Sequence, residues 1–280
     1  MEGLKLPLLP HSIQKGVPLK NIMGLETIKY IGHNINYVFN SFNKDSFIDD
    51  SLSGIEPLTL IERGKKIATV LKKYLPNNYT DAINVIIKSL TPPLKSTEKN
   101  GLSVFFYLPH VCFIEEYGLD KNYNNNNDPF NVSMDAQYEL TQRFSAEFSI
   151  RPFIKNQQDR TFVQLYKWMN DSNPHVRRLC SEGTRPRLPW AARIPGLIKD
   201  PAPSLPILEK LKNDENIYVR RSVANHLGDI AKDNLQLVLD ICEDWLKNSK
   251  SELRWVIRHS LRHPAKKGNL KAISIREAAK

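Results

Sequence analysis

The most constraining feature of this 280-residue chain is a motif that recurs in its second half. Val176-Arg177-Arg178-Leu179-Cys180-Ser181-Glu182 returns as Val219-Arg220-Arg221-Ser222-Val223-Ala224-Asn225. A weaker copy is Leu253-Arg254-Trp255-Val256-Ile257-Arg258-His259. The offsets are 43 and 34 residues, and each copy follows a polar turn, at 170–173, 213–216 and 248–251. A repeat of this size is one supersecondary unit that cannot bury its apolar face alone, so copies must stack. In the second copy Val219, Val223, Leu227 and Ile230 form an apolar stripe, while Arg221, Asn225 and Asp229 share a polar face at four-residue spacing. The expectation is stacked helical pairs.

The rest of the chain fits an all-α reading. Residues 1–21, with Pro7, Pro10, Gly16 and Pro18, are expected to form a loose N-terminal arm. Leu60, Ile61, Ile67, Ala68 and Leu71 suit a helix loosely, because Gly64 interrupts it. Ile83, Ile86, Ile87 and Leu90 mark a clearer helix, stopped by Thr91-Pro92-Pro93. Residues 104–117 read equally as a buried helix or a strand. The Asn-rich run at 121–128 reads as an exposed loop or a disordered insertion. No strand pattern follows Ser145. The expected fold is therefore all-α, stacked helical pairs of the HEAT or armadillo kind, with residues 22–280 as a single domain and one helix of each pair lining an inner, concave surface.

Charge separates the two halves. Residues 1–144 carry 15 Lys+Arg and 15 Asp+Glu, whereas residues 145–280 carry 25 and 15. The whole excess of +10 lies in the second half, and only Arg63 and Arg143 precede Ser145. A basic face of this kind is the footprint of a polyanion, nucleic acid first. With 41% apolar residues, wholesale disorder is excluded. Three scattered cysteines, Cys112, Cys180 and Cys242, exclude a disulfide scaffold and read as small core residues. No metal motif is written, no apolar run is long enough to span a bilayer, and no signal peptide is evident. A soluble cytoplasmic protein is the expectation.

Chemistry concentrates at Arg177–Trp190. The segment is expected to end a helix with Gly183 at the C′ position and to continue as an Arg/Pro loop into Trp190. Glu182 sits among arginines, which favour its ionised form, and an ionised carboxylate can stabilise a developing cation or orient water. Trp190 offers a face on which a base can stack. The same residues also read as an Arg178–Glu182 surface pair with a packed tryptophan. Asp229 could pair with a cation of its own helix. Glu147 could bridge Arg143 at i, i+4, but lies between Phe144 and Phe148, where a free charge is costly. Arg254, Arg258 and Arg262 are spaced to line one helix face as phosphate ligands or as a solvated row. His259 and His263 have the spacing of a metal pair, with no third ligand suggested.

Ser181-Glu-Gly-Thr-Arg-Pro-Arg-Leu-Pro-Trp190, with Val219-Arg-Arg-Ser-Val-Ala-Asn-His-Leu227, Trp255-Val-Ile-Arg-His259 and Phe148-Ser-Ile-Arg-Pro-Phe153, resembles the AlkC branch of the AlkC/AlkD DNA alkylation-repair glycosylases. The resemblance covers most of the chain from about Ile22 to Ala272. It implies a HEAT-like-repeat α-solenoid that holds duplex DNA in a concave basic groove, and hydrolysis of the N-glycosidic bond of alkylated bases, typically 3-methyladenine, without flipping the base into a pocket. It implies Glu147, Glu182 and Asp229 as the acids facing the lesion and Trp190 as the aromatic beside it. Arg178, Arg185, Arg187, Arg220, Arg221, Arg254 and Arg258 are the expected DNA-binding residues. The expected partner is duplex DNA containing alkylated bases, bound by a monomer, with no membrane, no metal and no organic cofactor. Some relatives add a C-terminal immunoglobulin-like domain, which a chain ending at Lys280 is expected to lack. One departure is Gly228, where the family pattern carries Asn.

The expected chemistry agrees with these residues. A base methylated at a ring nitrogen is already cationic and leaves as a neutral molecule, so no general acid is required. The sugar becomes oxocarbenium-like, and nearby carboxylates stabilise it and orient water. Two other readings stay open. A HEAT-like nucleic-acid-binding protein without catalysis would share the basic groove but be indifferent to Glu182 and Asp229. A protein scaffold would show no DNA affinity.

Overall fold

A computed structural model describes residues 3–280, and every regular element among them is helical. The chain divides into two compact units, meeting in sequence between Ser149 and Ile150. No described helix is long and apolar enough to cross a membrane.

The first unit contains α1 (Leu25–Val38), α2 (Lys44–Leu52), α3 (Leu60–Tyr74), α4 (Tyr79–Lys88), α5 (Leu108–Tyr117) and α6 (Phe130–Thr141). A capping box of Thr59 and Glu62 starts α3, which runs unbroken through Gly64. That glycine is a contact device: a Cβ there would lie 2.9 Å from Leu108 Cγ, so its absence lets α5 pack close against α3. The segment at 104–117, ambiguous by period, is helical because α5 is buried on nearly every side among α3 and α6. The arm is tied to α1, with Lys5 N–H donating to Asn34 Oδ1 at 2.9 Å and Asn34 Nδ2 donating back to Lys5 O at 2.8 Å. The Asn-rich run is a series of turns whose centre is buried. Asn124 Oδ1 accepts from Thr80 N–H and Oγ1 at the start of α4, and Tyr123 is buried beside Tyr79. Asparagine serves here as a helix-start ligand, which explains why so polar a run is ordered.

The second unit comprises α7 (Ile150–Asn156), α8 (Gln158–Trp168), α9 (Pro174–Glu182), α10 (Pro195–Lys199), α11 (Leu205–Leu211), α12 (Ile217–Ile230), α13 (Leu235–Leu246), α14 (Ser251–Ser260), α15 (Arg262–Lys266) and α16 (Leu270–Ala278). The three motif copies are α9, α12 and α14, with α12 packed between the other two and α8, α11 and α13 behind them. This is the expected stacking of helical pairs, and Val219, Val223, Leu227 and Ile230 form its apolar seam. Asn173 and Asn216 cap α9 and α12 through His175 and Tyr218 N–H, each at 2.9 Å. The first arginine of each copy braces its own turn: Arg177 donates to the carbonyls of Asp171 and Ser172, Arg220 to those of Asp214 and Glu215, and Arg254 to that of Ser249. Arg177 also forks onto Asp214 at 2.6 and 3.0 Å, joining one repeat to the next.

Candidate active site on the repeat helices

The site is built where the end of α9, the loop that follows it and the last turns of α12 meet. Glu182 closes α9, Asp229 lies in the last turn of α12, and Arg185 stands between them. Arg185 Nη1 donates to Glu182 Oε1 at 2.7 Å and its Nε to Asp229 Oδ2 at 2.8 Å. Arg178 Nη2 lies 3.1 Å from the same Glu182 oxygen, and Ser222 Oγ donates to Glu182 Oε2 at 2.6 Å. Lys232 Nζ holds Asp229 Oδ1 at 2.8 Å. Burial pushes the Glu182 carboxyl upward, but Arg178, Arg185 and the Ser222 hydroxyl outweigh it and hold the group below the usual carboxylate range. Burial lowers Arg185, and its two carboxylates more than compensate, so it stays charged. Next to them His226 is wholly buried. Desolvation, then the Arg185 charge, lowers it to about 3, so it is neutral.

The loop from Gly183 to Ile194 displays Trp190. Leu188 and Ile194 anchor it in the core, yet Trp190 between them is 72% exposed. Its φ is 66°, a left-handed conformation that a bulky side chain rarely adopts without a structural cause. Arg151 of α7 braces the loop on either side of it. Its Nε donates to Ala192 O at 2.6 Å and its Nη1 to Gly183 O and Arg185 O at 3.2 and 2.8 Å, clasping both ends of the loop. Gly183 itself is right-handed at φ −66°, so the expected left-handed C′ geometry does not occur. The glycine is required for space, because a Cβ would lie 2.6 Å from Ile150 Cγ2.

The other predicted residues fall as follows. Glu147 belongs to the first unit, on a turn, and accepts from Ser145 Oγ at 2.6 Å. The expected i, i+4 helical register with Arg143 is absent, because α6 ends at Thr141; Arg143 turns to Glu139 and the Thr91 carbonyl. Arg178 lies over the Tyr218 ring, and Arg187 forks onto Asp233 at 2.6 and 2.7 Å. Arg254, Arg258 and Arg262 do not share one helix: α14 stops at Ser260, Arg262 opens α15, and Arg258 donates to the Ala279 carbonyl at the end of α16. Within the expected DNA-binding set, Arg221 is the exposed cation with neither hydrogen bond nor salt bridge among the described residues. His259 stacks on Trp255 and meets Asn225 Oδ1, which also accepts from Arg262.

Sequence reasoning missed Ser222, Lys232 and the role of Arg151. Lys232 had a local signal, standing three residues after Asp229 on the same helical path. Arg151 had none, since its three acceptors lie 32–41 residues away in the chain. Around two carboxylates the site gathers Arg178, Arg185 and Lys232, with the Arg262 charge felt at Asp229, an excess of positive charge suited to a polyanion.

No family model matches the chain. The uncharacterized protein YhaZ of Bacillus subtilis (strain 168) is 38% identical over 258 residues, covering 92% of this chain and 67% of YhaZ. The solved structure of the Pseudomonas fluorescens alkylpurine DNA glycosylase AlkC, bound to DNA containing an abasic site analog, superposes with a TM-score of 0.82 at 34% identity. That match covers 94% of this chain and 69% of the other. A helical fold shared over nearly the whole chain, at this identity, means that the chain belongs to the AlkC family.

Proposed function

We propose that this chain is a DNA glycosylase that hydrolyses the N-glycosidic bond of cationic alkylated bases in duplex DNA, 3-methyladenine foremost, without flipping the base into a pocket. The observation that carries the reading is the Glu182–Arg185–Asp229 cluster, placed at the root of the loop that displays Trp190. Membership of the AlkC family supports it.

In this reading the C1′–N bond breaks with its electron pair passing to the base, which departs neutral. The sugar carries the positive charge, and the ionised carboxylates lower its energy. Water then bonds to C1′ and gives up one proton to the surrounding solvent, leaving an abasic site. His226, neutral near pH 7, is no acid for this step, and none is needed when the leaving group is already cationic. Trp190 stacks against the lesion, while Arg221 and its cationic neighbours hold backbone phosphate. Glu147 is the third acid proposed to face the lesion.

The test is release of free base from methylated duplex DNA by the wild type, Glu182→Gln and Asp229→Asn. Release by the wild type, lowered in either variant without loss of DNA binding, supports the reading. One observation favours a second reading: each carboxylate oxygen of Glu182 and Asp229 already has a cation or hydroxyl partner, as in a structural network. A DNA-binding module without catalysis would bind methylated duplex in a salt-dependent way and release no base.

A further inference from the structure

A cavity of about 410 Å³ opens beside the last turn of α12, lined by Gly228, Lys232, His263, Lys267 and Asn269 among others. No carboxylate among the described residues lines it. Three nitrogen-bearing basic side chains, Lys232, His263 and Lys267, converge on it, and Arg262 and Lys266 add to the positive field at His263. Such a cavity fits a phosphate group.

Lys232 belongs to this cavity and to the active-site cluster at once. Its Nζ holds Asp229 Oδ1 at 2.8 Å from a half-exposed side chain, whereas the opposite oxygen is held by the buried guanidinium of Arg185. Arg185 is committed on two sides and enclosed. Lys232 carries a compact charge on a flexible stem, and a half-exposed pair is weak. Of the two cations on Asp229, Lys232 is the one that can leave. A carboxylate with both oxygens neutralised stabilises an oxocarbenium-like sugar poorly.

We infer that the cavity is a phosphate site, and that a phosphate group seated on His263 and Lys267 draws Lys232 off Asp229, freeing one carboxylate oxygen for the reaction. The inference rests on the glycosylase reading for its consequence, though not for the site itself. The Asp229 acid is then masked in the free protein and unmasked where a DNA backbone phosphate occupies the cavity. Lys232 is a positioning residue: it acts through Asp229.

Two measurements on the full chain test this. The first is single-turnover base release from methylated duplex at saturating protein, in a double-mutant cycle. His263→Ala with Lys267→Ala should slow release at least tenfold. The same pair in a Lys232→Met background, where Asp229 is already unmasked, should change the rate of that background less than twofold. Equal slowing in both backgrounds overturns the inference. The second is nuclear magnetic resonance of the His263 ring and the Asp229 carboxyl. Inorganic phosphate and undamaged duplex DNA are added separately. Movement of both signals with inorganic phosphate identifies a site open to free phosphate; movement with duplex alone identifies one that takes a phosphodiester. The Asp229 movement should vanish in the His263→Ala, Lys267→Ala protein. No movement with either probe overturns the site. If the wild type releases no base, the proposed function fails while the resonance experiment still decides the cavity.

Discussion

The guanidinium of Arg185 donates through Nε to Asp229 Oδ2 at 2.8 Å, and this bond ties the Trp190 loop to the last turn of α12. The same group holds Glu182 through Nη1. Removing it leaves two buried carboxylates with reduced compensation. Arg185→Ala is expected to destabilise the protein by about 3–5 kcal/mol, the usual cost of breaking a buried ion pair from one side. Urea unfolding at pH 7 checks this, and a change under about 1 kcal/mol would contradict the geometry.

Trp190 and Arg151 should separate stability from function. Trp190→Gly relieves a left-handed φ that costs about 1 kcal/mol, so thermal stability should hold or rise. Base release should fall about tenfold, as expected from losing one stacking contact. Arg151→Met frees the carbonyls of Gly183, Arg185 and Ala192, so it should lower both stability and base release. It should also open the loop to trypsin after Arg193.

Two glycines of the second unit should respond oppositely to alanine. At Gly183 a Cβ would lie 2.6 Å from Ile150 Cγ2, closer than packing permits, and the protein should lose about 1–3 kcal/mol. At Gly228 the nearest atom would be Ser260 O at 3.4 Å, an ordinary contact. Since glycine weakens a helix interior, Gly228→Ala should stabilise by about 0.5–1 kcal/mol. Thermal melts of both variants decide the matter.

Acid should act on two buried histidines. Desolvation lowers His110 to about 3, and desolvation with the Arg185 charge lowers His226 to about 3, against 6.5 for an ordinary imidazole. Their depressed native values mean that the unfolded chain binds the protons first. The stability they contribute is full above pH 6.5 and is lost as pH falls from there toward 3. Each group gives a slope of about 1.4 kcal/mol per pH unit well below 6.5. Unfolding free energies at pH 7.5 and 5.0 should differ accordingly, and His226→Gln should reduce that difference. A flat profile would contradict the burial of both rings.

Helices, their inward stripes and the stacking of repeats were legible in the sequence. They follow from local periodicity, and Val219, Val223, Leu227 and Ile230 are buried as their spacing implied. The clustering of Glu182 with arginines was legible too, because Arg178 and Arg185 lie within four residues of it. What periodicity assigns is a face, never a partner. Arg220 and Arg254 stand at repeat positions that suggest phosphate ligands, yet their donors reach carbonyls of their own turns, and Arg258 reaches Ala279. Arg151 finds its loop only after α7 and that loop are brought together across more than 30 residues. The chain by itself determined an all-helical repeat fold with its basic charge and its acids in the second half. Only the tertiary structure decided which cation neutralises which acid, because that choice depends on distances between segments remote in sequence, where a few ångströms separate a buried pair from a free charge.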